Sequence, residues 1–196
     1  MNKIALQDFS NILGQLKGVS DKQLQAHFKL YEGYVNKYNE IREKLSTQDK
    51  TAANYSFGAF SELKRREAVA YNGALLHQLY FENLSGQGGE PSEEIKHAVT
   101  QSFGNWSVFV QDIKSSAIST PGWVIVTVDP QDKQVHTWIM YEHHIGYPAN
   151  HTVILALDCW EHAFMIDYGT NKAEYLRAFL ENIDWEVVNK RYKACM

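Results

Sequence analysis

The sequence predicts an α+β fold: an N-terminal antiparallel helical hairpin, then a C-terminal α/β domain with a three-stranded antiparallel sheet. Three observations predict it. Two long segments repeat apolar residues at three- and four-residue steps. A glycine-rich break follows at residues 85–91. Three short runs suited to strands come after the break, with helical segments on either side.

The elements follow in chain order. Residues 20–46 read as a long helix that opens on a capping box, Ser20 with Gln23. Leu24, His27, Tyr31, Tyr34, Tyr38 and Ile41 share one face of it. Residues 47–57 are polar and loop-like. A second helix spans about 59–83, with Leu63, Ala70, Ala74, His77 and Phe81 in one stripe. The short connection makes the pair an antiparallel hairpin. The Gly/Pro-rich stretch at 85–91 is the best domain boundary, giving a helical domain over 1–85 and an α+β domain over 92–196. Helices are expected at 92–103 and 106–114. Strands are expected at 123–128, 135–141 and 153–157, with a turn at 129–133 between the first two. Two helices, at 172–182 and 185–193, close the chain.

Bulk properties exclude several classes. Among 196 residues, 44% are hydrophobic, enough for a packed core, and the net charge of −4 lacks the basic excess of a nucleic-acid binder. No apolar run approaches a membrane span. The start, Met1 to Asp8, has no apolar core of a secretory signal. Two distant cysteines, Cys159 and Cys195, form no disulfide framework, so the expected compartment is the cytoplasm. Cys159 reads as a small buried thiol and Cys195 as part of a frayed end.

Chemistry concentrates after the third expected strand. Asp158 and His162 stand four residues apart, directly behind the apolar run 153–157. A strand ending this way delivers a carboxylate and an imidazole to one point, a pair suited to iron or manganese. The same spacing also fits a capped helix start. His27 and His77 lie mid-helix on the apolar faces of the hairpin. Either alone reads most simply as a core histidine. Together they can face each other, and Asp158 and His162 complete a cage of three imidazoles and one carboxylate with a position left for solvent or substrate. A di-iron bundle would need two Glu-x-x-His motifs, and the chain offers one, Glu94 with His97.

Asp158, Cys159, Trp160, Glu161, His162 and Ala163 spell D-x-W-E-H-A, which resembles the C-terminal signature of the iron/manganese superoxide dismutase family. Further likeness lies in Leu76 to Phe81, in Tyr34 to Asn39, in Pro121, Gly122 and Trp123, and in Asn182 to Tyr192. The resemblance implies a homodimer that converts superoxide to oxygen and hydrogen peroxide by cycling M(III)/M(II), with one iron or manganese per subunit at the domain interface. It implies His27, His77, Asp158 and His162 as metal ligands and Tyr34 as the tyrosine of the substrate channel. It also implies an aromatic wall of Trp123, Trp160, Tyr80 and Phe81, and Glu161 reaching across the dimer to the partner's His162. Lys29 and Lys172 are candidates for a positive mouth. The alternative is a catalytically silent relative that binds metal or a partner.

The chain departs from the family pattern in three places. The family holds metal-bound solvent with a glutamine from one of two positions. One of them is Gly73 here, and the other falls in the segment Tyr141, Glu142, His143, His144. His143 is therefore expected against the solvent, with His144 as the second choice, and a histidine there favours iron. His27 and Tyr34 are seven residues apart, close to two full turns, so the first helix is expected to be regular between them. Tyr31 and Phe164 replace a hydrogen-bonded His–Tyr pair at the dimer seam, and a tyrosine and a phenylalanine cannot make that bond.

Overall fold

A computed structural model describes residues 3–196; Met1 and Asn2, which begin the stretch read against a secretory signal, lie outside them. Helix α1, Asp21–Thr47, starts where Ser20 caps the Gln23 amide. It runs without interruption past His27 and Tyr34, as the seven-residue spacing requires. Helix α2, Ala59–Glu82, packs against it. The apolar stripes read from the sequence are the faces that meet. Leu24, Tyr31 and Ile41 are buried on α1, and Ala70, Ala74 and Phe81 on α2.

Residues 85–92 form no helix or strand. Helices α3, Glu93–Phe103, and α4, Trp106–Ile118, follow under side-chain caps from Ser92 and Asn105. α4 runs four residues beyond the expected end at 114. Ala117, fully buried, carries its apolar face through the polar pair Ser115 and Ser116.

The sheet comprises β1, Trp123–Val128, β2, Val135–Met140, and β3, Thr152–Asp158. The strand order is β2-β1-β3 and both pairings are antiparallel. β1 is central and buried at every position, so it reads as a continuous Val/Ile run. β2 lies at an edge and is partly exposed along its middle. Each fully buried Val, Leu or Ile contributes roughly 1.5–3 kcal/mol. The principal core joins both halves of the chain, from Leu24 and Phe81 to Val124, Leu155 and Phe179.

Two details fix the end of the sheet that matters below. Trp123 is in register with Asp158 on one side and Met140 on the other. Gly122 stands directly before Trp123, and a Cβ there would lie 2.1 Å from the Met140 carbonyl oxygen. Only glycine lets β1 begin so close to β2.

After β3 comes a 3-10 turn, Glu161–Ala163, then α5, Met165–Tyr168, α6, Lys172–Glu181, and α7, Trp185–Cys195. The turn and α5 are too short to leave a periodic signal. Cys195 is not frayed. It completes α7, partly buried, with its thiol on the Arg191 carbonyl. Cys159 is a buried thiol, as expected, and burial pushes its pKa up to about 12.

Candidate metal centre

Four elements deliver four donors to one point. His27 comes from α1, His77 from α2, Asp158 from the last position of β3, and His162 from the turn behind it. The Asp158 Oδ2 oxygen lies 3.0 Å from His27 Nε2, 3.1 Å from His162 Nε2 and 3.5 Å from His77 Nε2. The first three residues are at most 1% exposed, while the His162 side chain is 30% exposed. Three imidazoles and a carboxylate converging in a dry pocket are a donor set that fits iron or manganese.

Neighbouring bonds aim the donors. His77 Nδ1 donates to the Gly73 carbonyl at 2.5 Å, which frees Nε2 for the centre. The other Asp158 oxygen, Oδ1, accepts from the Trp160 amide at 2.9 Å. The Tyr175 hydroxyl donates to the Asp158 carbonyl at 2.7 Å. Gln23, buried, donates to the His162 carbonyl and accepts from the Ile166 amide, which pins the turn to α1.

Burial sets the charges. Desolvation lowers the His27 pKa and takes His77 well below the usual imidazole range, so both are neutral. Burial alone would raise Asp158, but the surrounding imidazoles, His162 first, hold its carboxyl well below the ordinary value. Trp123 packs edge-on to His77, and Tyr80 and Phe81 pack on His27. Trp160 lies parallel to His162. These four rings form the expected wall.

His143 is buried beside the cluster, whereas His144 is exposed. The Trp123 indole N–H donates to His143 Nδ1 at 2.9 Å. An indole can only donate, so Nδ1 is the acceptor. Desolvation lowers the His143 pKa to about 4, and the neutral ring then carries its proton on Nε2. Nε2 therefore donates to the Tyr34 oxygen, 2.6 Å away. The Tyr34 hydroxyl hydrogen is left free to point elsewhere. Burial raises the Tyr34 pKa, which keeps that hydrogen in place. Asn72 donates to the His143 carbonyl at 2.8 Å and fixes the loop.

Gly73 provides the space for this pair. A Cβ at Gly73 would fall 2.5 Å from the Tyr34 ring, which stacks on His77. A side chain at this position would require the Tyr34 ring to move.

The Tyr31 hydroxyl accepts from the Gln7 amide within its own chain, and Phe164 stacks on Tyr175. Lys172 is less available as a steering charge than expected. Its ammonium donates to the Thr120 carbonyl and lies over the Phe164 ring. Lys29 is exposed on α1. Arg66, which the sequence reading passed over, is exposed on α2 and its charge is felt at both Tyr34 and His143. Gln23, Asn72 and Tyr175 were also missed. Their partners lie 17 or more residues away in sequence, and no local pattern marks them.

Residues 91–191 match the family model described as iron/manganese superoxide dismutases, C-terminal domain. The chain belongs to the iron/manganese superoxide dismutase family. It is 36% identical over 186 residues to "Superoxide dismutase [Fe]" of Aquifex aeolicus, covering 92% of this chain and 87% of that protein. It is 33% identical over 187 residues to "Superoxide dismutase [Fe]" of Cupriavidus metallidurans, covering 93% and 92%. It is 28% identical over 177 residues to "Superoxide dismutase [Mn] 2" of Haloferax volcanii, covering 89% and 87%. The dismutase family is one of oxidoreductases, and this member is an enzyme of that type. Among the described residues, no helix is long and apolar enough to cross a membrane.

Proposed function

We propose that the protein is a metal-dependent superoxide dismutase whose ion is held by His27, His77, Asp158 and His162. The observation that carries this reading is the approach of three imidazole Nε2 atoms to one buried carboxylate oxygen, in a chain of this family. When bound, iron or manganese supplies the one-electron exchange, cycling M(III)/M(II), that turns superoxide into oxygen and hydrogen peroxide. The chain's own residues do the rest. The aromatic wall of Trp123, Trp160, Tyr80 and Phe81 excludes bulk water. Trp123 fixes the His143 tautomer, and His143 holds the Tyr34 oxygen by its Nε2–H. Tyr34 then presents an oriented proton at its hydroxyl for the peroxide product. His143 takes the place other members give to glutamine, and with both ring nitrogens engaged by Trp123 and Tyr34 it acts on bound solvent through the Tyr34 hydroxyl. The exposed guanidinium of Arg66 draws the superoxide anion toward the Tyr34 side of the centre.

Iron is the favoured ion. His143 supports it, as do relatives at 36% and 33% identity named for iron, while manganese-named relatives stand at 28–31%. The working form is a homodimer with Glu161 at the seam. Glu161 is exposed next to the partly open His162 ring, and the apolar side chains of Met165 and Ile166 are exposed beside them. Residues 1–85 and 92–196 act as the two parts that close around the metal. Free cysteines suit a cytoplasmic protein.

Metal-free protein reconstituted separately with iron and with manganese tests the proposal. Dismutation restored by iron, and less by manganese, is the expected result. Stoichiometric uptake of both ions with no dismutation would leave a silent metal-binding relative instead.

A further inference from the structure

The opposite end of the sheet gathers a second set of donors. Asp129 follows β1, Asp132 lies in the turn, His136 is on β2, and His151 directly precedes β3. One donor atom from each of Asp129, Asp132 and His136 falls within 4.8 Å of the others. His136 Nε2 lies 3.6 Å from Asp132 Oδ2, and His151 Nε2 lies 3.7 Å from Asp129 Oδ2. The two imidazoles meet edge to face with ring centres 5.5 Å apart. The Trp123–Val128 strand separates this cluster from Asp158 by five residues, about 17 Å at the usual strand rise.

The donors are held in place by their neighbours. Oδ1 of Asp129 accepts from the Gln131 amide and Oδ1 of Asp132 from the Gln134 amide, each at 2.8 Å, so both Oδ2 atoms are left for the imidazoles. His151 Nδ1 sits 2.9 Å from the buried Thr127 hydroxyl oxygen, which also accepts from the Trp138 indole. Donation from Nδ1–H to Thr127 turns the Nε2 lone pair toward the cluster. Independently of the carboxylates, His136 Nε2 is shielded from solvent and has no hydrogen-bond partner. A buried ring nitrogen without a partner calls for one. Lys133, in the same turn, is not that partner; its ammonium donates to the Cys195 carbonyl.

We propose that Asp129, Asp132, His136 and His151 form a second metal site, for a borderline divalent cation of the zinc type. Two imidazoles and two carboxylates match that ion in ligand type and neutralise its charge. Bonds of about 2.0–2.2 Å around a tetrahedral ion place neighbouring donors about 3.3–3.6 Å apart. The two imidazole–carboxylate separations therefore need to close by only a few tenths of an ångström. Calcium and magnesium, which take six or more oxygens, fit poorly. The bound ion would tie the β1–β2 turn to the segment entering β3.

Calorimetric titration of the protein carrying its resident metal with Zn2+ tests this, with resident-metal content followed in parallel. One Zn2+ per chain is expected beyond the resident metal, with a rise in Tm. His136→Gln and His151→Gln should each weaken zinc more than about tenfold, as loss of a ligand must exceed loss of a supporting bond. Asp129→Asn, which keeps the bond to Gln131, should weaken it without disturbing the turn. Dismutation should be unchanged in all three. No extra zinc, zinc taken up only as resident metal is lost, equal affinity in the variants, or calcium binding as tightly as zinc would each overturn the proposal.

Discussion

The two ends of one short sheet carry histidine–aspartate clusters in opposite surroundings. Around Asp158, three of the four side chains are at most 1% exposed and aromatic rings close the walls. Around Asp129, side-chain exposure runs from 11% at His151 to 44% at Asp132. The residue types are alike, so the difference lies in solvent. In the dry cluster, burial keeps His27 and His77 neutral beside an ionised carboxylate, and interactions between charges are weakly screened. At the open end, the donor side chains are partly exposed to water, although His136 Nε2 itself is shielded. The first setting suits redox chemistry, where stray water and alternative geometries are harmful. The second suits an ion that holds a turn.

Substitutions at each end should separate the two. Asp158→Ala has the largest expected effect. It should abolish resident-metal binding and lower dismutation by more than the roughly 100-fold that a supporting partner costs, by metal analysis and rate measurement. His136→Gln should change neither quantity. Equal losses in both variants would mean that the clusters are coupled.

The dry end should also show in acid. The His143 pKa lies near 4 in the folded protein against an ordinary 6.5, so the unfolded chain binds the proton more readily between those values. Stability is then present above pH 6.5 and is lost as pH falls toward 4, by on the order of 2–3 kcal/mol for this one group. His27 and His77, also lowered, act in the same sense, and Asp158 extends the loss below pH 3.8. Denaturant unfolding of the metal-free protein across pH 4–7 measures it; a flat profile would contradict the neutral cluster.

Trp123→Phe keeps the ring and removes the N–H that fixes His143. About tenfold slower dismutation with full metal content is expected. Metal loss instead would make Trp123 a packing residue. Gly73→Ala should have the smallest effect. The Tyr34 ring must shift, at about 1–3 kcal/mol, against roughly 1 kcal/mol gained from better helix propensity. A slightly lower Tm with a reduced turnover number is expected, and unchanged turnover would show that the Tyr34 position is not critical.

Much of the dry end was legible in the sequence because it is built on regular elements. Helix periodicity put His27 and His77 on facing stripes, and the apolar run before Asp158 marked a strand. His143 was legible only through the family comparison. The same comparison preferred it to His144, and the loop turns His143 inward under the Asn72 bond while His144 is exposed. The supports from Gln23 and Tyr175 reach across 139 and 17 residues and leave no local trace. At the open end, Asp129 to Lys133 read as a turn and nothing more. His136 and His151 meet there only because antiparallel pairing sets β2 and β3 on either side of β1.

Metal content and dismutase activity measured on one preparation of the purified protein test the central claim most directly. The account predicts close to one iron or manganese per chain at the buried cluster, with activity proportional to occupancy across fractions. A full complement of that metal with no dismutation, or activity independent of occupancy, would contradict it.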